Sequence, residues 1–484
     1  MDRRTFLKLG ALSAAAYGLR LPGDAATVQT TLPRGGPPKR VVILGAGLSG
    51  LVAGYELTRT GHDVIILEAQ RRPGGRVFTL RADFSDGLHA EAGAARIPDN
   101  HELTLHYAKL FGLTLDPFYP STLASVTLLR GKRIRTQAGR SLDLAEVPLP
   151  LTAEEKKLGM SGMEKKYLAP SIRAMTSPAT IDAQAYDRMT LSQFLRKQGA
   201  SEAAIELLEG PFVTAENDRT SLLWLLGEFS HMASETTRYK IRGGNDQLPK
   251  AFAQKLAEKI HYGSQVAHID RQPARVRVTV LEAGNTHVVE GDFVICCIPF
   301  PALRKVEVTP AFSEKKRQAI AELTYDSVTR VILQSRTRYW EKDGCNGFSL
   351  SDLPQEIWHP TFDQPGPRGL LLSYMFGALA RRVAGMNEAE RLAFVVDDVD
   401  KAHPGLRPNL EGAVTKIWDN DPWAGGAYAL PSVGQMTTLC SDIARPEGHV
   451  HFAGEHTSGL TGWMQGALES GLRAAREVNE AQVL

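Results

Sequence analysis

The chain has 484 residues, with 56 Lys and Arg against 54 Asp and Glu, 43% hydrophobic and 23% charged residues. These are ordinary globular proportions, enough for about three domains or one large composite fold at roughly 150 residues per domain, and they exclude collagen-like, coiled-coil and disordered readings. The near balance of charge argues against a nucleic-acid partner, four cysteines are too few for a disulfide framework, and no apolar run approaches the ~18 residues of a membrane span.

Met1–Lys8 is short and basic, and the apolar stretch Leu9–Leu19 has the length of a signal core rather than of a span. Arg3-Arg4 followed by Thr5, Phe6, Leu7 and Lys8 resembles a twin-arginine signal, which implies export of an already folded protein to the periplasm or beyond. Gly23-Asp24-Ala25 offers small residues at cleavage spacing, so 1–26 reads as signal peptide and 27–39, rich in Pro and Gly, as linker.

Arg40–Leu44 is a β-branched run that predicts a buried strand. Gly45-Ala46-Gly47-Leu48-Ser49-Gly50 follows at once, and Leu48–Thr60 has helical periodicity closed by Gly61. A second strand, Asp63–Leu67, ends at Glu68. Gly45 permits the tight turn, Gly47 admits a pyrophosphate against bare backbone, and Gly50 packs helix on strand. The pyrophosphate then meets the free N–H groups and positive end of the helix dipole, and Glu68 accepts hydrogen bonds from a ribose diol. Strand, glycine turn, helix, strand and terminal acid in that order specify a dinucleotide site, with Ser49, Ala69 and Arg71 beside it.

Downstream of Glu68, Arg71-Arg72-Pro73-Gly74-Gly75-Arg76 resembles the Gly-Gly-Arg signature of the amine oxidase branch of FAD flavoproteins. The resemblance implies that Gly75 and Arg76 wrap the pyrophosphate and flavin side. The far end carries the same likeness: a strand at Val450–Phe452, then Gly454-Glu455, then Gly462-Trp463-Met464-Gln465-Gly466-Ala467 opening a helix that runs to about Val478. In the family this helix N-terminus faces the flavin, where its dipole favours negative charge on the reduced ring. A middle piece, Gly243–Pro249 with Ser264-Gln265-Val266, is expected at the adenine side. No second glycine fingerprint follows a strand, so electrons are expected to leave to oxygen or another acceptor and not to come from a nicotinamide.

The fold implied is mixed α/β: a Rossmann-like FAD-binding domain assembled from 40–80, 243–322 and 447–484, a mixed-sheet substrate domain from 81–131 and 323–446, and a helical cap over 132–242. Helices are expected at Leu191–Gln198, Ala203–Leu208 and Leu222–Phe229. Cys296 and Cys297, inside the apolar run Asp292–Phe300, read as buried packing.

Within the family, three features resemble the L-amino-acid oxidases. Gly93-Ala94-Ala95-Arg96-Ile97-Pro98 matches the segment whose arginine holds the substrate carboxylate, a role suited to a planar, permanently charged fork. Tyr374, in Leu370–Phe376, aligns with the strand whose tyrosine hydroxyl adds a second bond. Trp463 and Tyr428 match the two aromatic walls that flank the amine, while Trp418 and Trp423 are expected in packing. Ala427 stands where some monoamine oxidases carry a flavin-linking cysteine, which implies non-covalent FAD. One departure is Arg330, in Ser327–Trp340, at the place of a lysine that holds a water near the flavin; lysine loses its proton on desolvation and arginine does not. His231 is a further candidate near the amine. Thirteen histidines show no metal-type spacing.

The expectation is FAD-dependent oxidative deamination of an L-amino acid, giving a 2-oxo acid, ammonia and hydrogen peroxide. Two alternatives stay open: a monoamine or polyamine oxidase with Arg96 structural, and an amino-acid dehydrogenase using an acceptor other than oxygen. The partners implied are a small amino acid and oxygen, no nucleic acid and no membrane, with a homodimer compatible with the family. No acidic specificity residue stands out, and the apolar surroundings of Met375, Phe376 and Trp463 suggest a large apolar or aromatic side chain.

Overall fold

The computed structural model describes residues 32–33, 37–175, 181–209, 219–351, 353 and 355–482. The segment read as an export signal, 1–26, therefore lies outside the described residues. The fold is mixed α/β, and its organising element is a five-stranded parallel sheet in the order Ile260–Tyr262, Asp63–Glu68, Arg40–Leu44, Phe293–Cys296, Val450–Phe452. Four of the five residues of Arg40–Leu44, and all four of Phe293–Cys296, are buried. That continuous burial is what a parallel strand covered on both faces requires, and it explains the unbroken apolar runs in the sequence. The register sets Leu44 beside both Leu67 and Cys296, and Cys296 beside Phe452, so four strands end at one level. Ligands of such sheets bind outside those carboxyl ends.

The helix Leu48–Thr60 and the last helix, Met464–Glu480, pack together on one face of this sheet. Their approach is close enough that a Cβ on Gly471 would lie 2.3 Å from the Ser49 carbonyl oxygen. The first and last elements of the chain are thus locked together, which accounts for cofactor signatures at both ends. Residues 32–39 share in this closure. Leu32 is 4% exposed within the same core, and Lys39 Nζ donates to the carbonyls of Val478, Asn479 and Ala481 at 2.6–2.8 Å, capping the last helix. Part of the segment read as a linker is therefore built into the fold, because the last helix needs partners for its terminal carbonyls.

A seven-stranded sheet stands opposite, ordered Leu410–Ile417, Val328–Ser335, Gly369–Phe376, Gln355–Trp358, Cys345–Ser351, Ala124–Leu129, Lys132–Gln137. Its last two strands form a hairpin turned by Arg130 and Gly131, both at positive φ. Arg238–Ile241 likewise pairs with Ile97–Pro98 and Leu115–Pro117. The cap boundaries expected at 132 and 242 are corrected inward by these pairings. What lies between is helical: Ala153–Tyr167, Ala169–Met175, Ala183–Asp187, Leu191–Lys197, Glu202–Glu209 and Leu222–Met232. Thr152 with Glu155, and Thr190 with Gln193, start two of them as capping boxes. Met163, Tyr167, Leu191, Phe194, Leu195 and Leu226 give the cap its own apolar core. No helix among the described residues is long and apolar enough to cross a membrane.

Candidate active site

One cavity of about 380 Å³ is enclosed by the parallel sheet, the seven-stranded sheet and the cap. Its floor is the glycine turn. Gly45, at φ +105°, turns the chain from the first strand, and Gly47, Ser49, Gly75 and Arg76 line the cavity. A Cβ on Gly47 would meet nothing within 4 Å, and one on Gly75 would touch only the Gly47 Cα at 3.7 Å, so bare backbone faces open space. Gly50 does not line the cavity; a Cβ there would lie 2.0 Å from the Gly45 carbonyl oxygen, so its bareness lets the helix start against the strand.

Two helix N-termini open on this floor. Neither Gly47, before Leu48–Thr60, nor Trp463, before Met464–Glu480, caps its helix through a side chain. Their leading N–H groups are available to an anionic ligand. Glu68 closes the far end beside Ala69 and Val266. Its carboxylate accepts the Ala46 and Gln70 N–H groups at 2.7 and 2.8 Å, and burial pushes its pKa up. The donor set and bare glycines fit a dinucleotide.

Arg71 departs from expectation: it is exposed and, like the half-buried Arg72, outside the cavity lining; Arg72 donates to the Gly75 carbonyl at 2.8 Å with its guanidinium 4.1 Å from the Phe78 ring centroid. Two adjacent arginines are indistinguishable by residue type; only the turn of the backbone separates them. Gly243–Pro249 also departs, for it stays outside the lining. Its Asn245 instead holds the Ala94 and Ala95 carbonyls at 3.0 Å and so braces the segment leading to Arg96. Ser264, Gln265 and Val266 do line the cavity.

The two chain ends meet at Arg76 and Glu455. Arg76 Nη1 donates to Glu455 Oε1 at 2.6 Å and to the Ala427 carbonyl at 3.0 Å. Glu455 Oε2 accepts the Gly462 N–H at 2.9 Å. Burial works against the Arg76 charge, but Glu455, with Tyr325 and Asp421, raises its pKa on balance. Gly454, Met464 and Ala467 complete this part of the lining, with Ala95 across from them.

The opposite wall is built by register. Arg330 pairs with Tyr374, and Tyr374 with Glu356, on three adjacent antiparallel strands, so the three side chains share one face. Trp358, two residues from Glu356, shares that face. Arg96 Nη1 donates to both Glu356 oxygens at 3.1–3.2 Å, and its guanidinium lies 5.0 Å from the Trp358 ring centroid. Glu356 also accepts the Trp358 indole N–H at 2.6 Å. Both bonds to Arg96 run through one nitrogen, which leaves the rest of its fork outside the ion pair. Burial opposes the Arg96 charge, yet Glu356, with Tyr119 and Tyr374, raises its pKa on balance and keeps the guanidinium protonated.

Arg330 sits in the lysine place noted above and lines the cavity. Its Nη1 donates to the Glu91 carbonyl at 2.8 Å and to the Gly93 carbonyl, and it lies 4.7 Å from the Tyr374 ring and 5.2 Å from the Trp358 ring. Burial pushes its pKa down. Two guanidiniums thus share the Trp358 ring in one cavity.

Tyr428 donates to Asp326 Oδ2 at 3.1 Å, and its hydroxyl oxygen is 3.5 Å from that of Tyr374. With the Tyr428 proton committed to Asp326, Tyr374 can only donate to it, and at that length the bond is weak. The Tyr374 hydrogen is therefore easily redirected to a ligand. Burial pushes Asp326 up to about 6. The Tyr428 ring also packs on Gly462, where a Cβ would come within 3.3 Å, next to Trp463.

Trp463 donates its indole N–H to Glu228 Oε2 at 2.9 Å. Burial pushes Glu228 up to about 7. His231 is displaced from the expected place: it lies outside the lining, stacked on His101 with 2.9 Å between their Nε2 atoms, and His101 in turn meets Trp463 edge-on. Cys297 follows the strand and lines the cavity rather than being packed away with Cys296. Trp418, expected in packing, is buried in an apolar core cluster and also lines the cavity; Trp423, expected in packing too, lines it as well. Asp326, Glu356, Trp358, Arg238 and Glu228 were missed by sequence reasoning. Glu228 had a signal, since it interrupts the apolar i, i+4 stripe Trp224–Glu228–Met232 of its helix.

The model of the flavin containing amine oxidoreductases matches residues 48–479. The flavin-dependent L-tryptophan oxidase RebO of Lentzea aerocolonigenes is 35% identical over 91% of this chain and 98% of its own. An L-amino-acid oxidase of Daboia russelii is 30% identical over 92% of this chain and 90% of its own. Among solved structures, putrescine oxidase bound to putrescine superimposes with a TM-score of 0.77 at 22% identity, covering 91% of this chain and 99% of that one. Cyclohexylamine oxidase from Brevibacterium oxydans gives 0.76 at 21% identity over 92% and 99%, so both share the fold. With a glycine cradle closed by both chain ends, and a family match spanning nearly all the described residues, this chain belongs to the flavin containing amine oxidoreductases.

Proposed function

We infer that this protein oxidises L-amino acids with FAD and oxygen, releasing a 2-oxo acid, ammonia and hydrogen peroxide. The observation that carries this reading is the gathering of Arg96, Arg330 and the Tyr374 hydroxyl at the cavity that also holds the glycine cradle. A simple amine needs no such cationic wall, whereas a carboxylate does. The relatives named for L-amino-acid and L-tryptophan oxidation support it.

Bound FAD would supply the hydride acceptor for the substrate Cα–H and hand the electrons to oxygen. Gly47, Gly75 and the N-terminus of Leu48–Thr60 would hold its pyrophosphate, and Glu68 its ribose. FAD would be held without a covalent link at Ala427, where some monoamine oxidases carry the linking cysteine. The part of the Arg96 fork outside the Glu356 ion pair and the Tyr374 hydroxyl take the substrate carboxylate, fixing the Cα against the cofactor. Trp463 and Tyr428 wall the amine, and the dry setting keeps it neutral so that its lone pair assists hydride loss. Asp326, by holding the Tyr428 proton, leaves that of Tyr374 for the carboxylate. Water then converts the imino acid to the 2-oxo acid and ammonia.

A second reading, an amine oxidase with Arg96 purely structural, draws on the Arg96–Glu356 ion pair. Assay of the holoenzyme with L-phenylalanine, D-phenylalanine and phenethylamine, following peroxide, ammonia and phenylpyruvate, separates the two. One equivalent of each product from the L-isomer supports the first reading; peroxide from phenethylamine alone establishes the second. The N-terminal segment is read as a twin-arginine export signal. Arg3-Arg4→Lys-Lys then leaves yellow protein in the cytoplasm, and unchanged export overturns that assignment.

A further inference from the structure

Arg330 lines the cavity, yet the roles above give it no bond of its own. Three other arginines line that cavity, and each is paired with an acid: Arg76 with Glu455 at 2.6 Å, Arg96 with Glu356 at 3.1 Å and Arg238 with Glu235 at 2.5 Å. Arg330 forms no ion pair among the described residues. It is 5% exposed, and its Nη1 is taken by the Glu91 and Gly93 carbonyls. Its Nε is sealed inside the protein and open to no ligand. Nη2 differs: it meets no acceptor among the described residues and is not sealed, so its accessible surface opens on the cavity. The Glu91 carboxylate beside it is held by the Asn245 N–H and the Thr79 hydroxyl, each at 2.8 Å, and burial pushes its pKa up to about 7.

A buried guanidinium without a counter-ion is costly, and an anion brought to it removes that cost. The geometry narrows the kind of anion. Arg96 keeps two nitrogens outside its ion pair and so offers a fork. Arg330 offers one nitrogen, which suits a single point of charge better than a two-pronged carboxylate. The Trp358 and Tyr374 ring centroids lie 5.2 and 4.7 Å from its guanidinium, and Val328 and Phe376 continue the same face of the sheet. Such walls give nothing back for lost hydration, so an ion that holds its water loosely enters at the least cost. A doubly charged, tightly hydrated ion such as sulfate does not.

We propose that Arg330 Nη2 anchors an anion site, separate from the carboxylate clamp of Arg96 and Tyr374, for small, weakly hydrated monovalent ions of the chloride, bromide and nitrate class. An ion held there neutralises the unpaired guanidinium and leaves the Arg96 fork to the substrate. The site does not depend on whether the cavity oxidises an amino acid or a simple amine, so its failure and the failure of the reaction assignment are separate results.

The test follows the chloride-35 NMR linewidth of the holoenzyme in sodium chloride, with bromide, nitrate or sulfate added at constant ionic strength. Bound chloride broadens the line, bromide and nitrate narrow it saturably, and sulfate leaves it unchanged. Arg330→Met removes the charge but keeps an unbranched chain. In that variant the affinity read from the displaceable broadening falls at least about tenfold, the loss of one charge-assisted hydrogen bond. Flavin content and melting temperature establish that the variant is folded. No displaceable broadening, equal displacement by sulfate, or unchanged affinity in Arg330→Met overturns the proposal. Anomalous diffraction from bromide-soaked crystals of the wild-type holoenzyme reads the same claim without a variant. A bromide peak within hydrogen-bond reach of Arg330 Nη2 supports it, and no peak there at saturating bromide overturns it.

Discussion

Arg96→Lys isolates the carboxylate clamp from the fold. Glu356 is 4% exposed and held by Arg96 and by the Trp358 indole. Arg96→Ala would strip a buried acid of its cation, at a cost of about 3–5 kcal/mol in stability, and confound any kinetic loss. Lysine keeps the charge facing Glu356 but replaces a planar fork with a point donor. The substrate carboxylate then loses about one charge-assisted hydrogen bond, worth about 1.5–3 kcal/mol. At 1.4 kcal/mol per decade this is a fall of about 10- to 150-fold in kcat/KM for L-amino acids. The assay is steady-state peroxide release from L-phenylalanine and L-tryptophan, with flavin content and melting temperature as controls. A flavin-loaded, folded Arg96→Lys enzyme with unaltered kcat/KM would refute the reasoning, and Arg96 would be only the partner of Glu356.

Three further outcomes follow from the geometry. Gly47→Ala leaves a folded chain that purifies without flavin, because its Cβ meets no protein atom within 4 Å, whereas Gly50→Ala lowers the melting temperature as well, its Cβ falling 2.0 Å from the Gly45 carbonyl oxygen; flavin absorbance and thermal melts distinguish them. Burial raises Asp326 to about 6, so its carboxylate is fully present well above that pH and is lost as pH falls through it. The acid limb of kcat/KM near pH 6 should therefore vanish in Asp326→Asn, and its persistence there would remove Asp326 from the account. Arg330→Lys should change flavin reoxidation by oxygen more than its reduction by substrate, because lysine can shed the proton that buried arginine keeps; stopped-flow measurement of both half-reactions would contradict this if only reduction changed.

The cofactor half of the site was legible because its chemistry needs glycines where backbone turns tightly or must stay bare, and those positions sit within one short segment. Gly45, Gly47 and Glu68 could be placed from the order of strand, turn, helix and strand. The fold class followed from the same order and from the repetition of small residues at Gly462–Ala467. The outward course of Arg71 could not follow, since only the turn of the backbone sets which way two adjacent arginines point. The substrate half depends on register. Arg330, Tyr374 and Glu356 lie far apart in sequence and form one row only because three antiparallel strands align them. Asp326 and Trp358 were hidden for the same reason. The linker reading of 27–39 failed at Leu32 and Lys39 because their partners belong to the last helix, at the other end of the chain.

Anaerobic stopped-flow reduction of the bound flavin, with L-tryptophan and tryptamine at matched concentrations, tests the carboxylate-binding wall most directly. The two ligands share the indole and the amine and differ only in the carboxylate that Arg96 and Tyr374 are placed to hold. Rapid, saturable bleaching by L-tryptophan, with tryptamine at least about tenfold slower, is the predicted result. Equal bleaching, or bleaching by tryptamine alone, would contradict it.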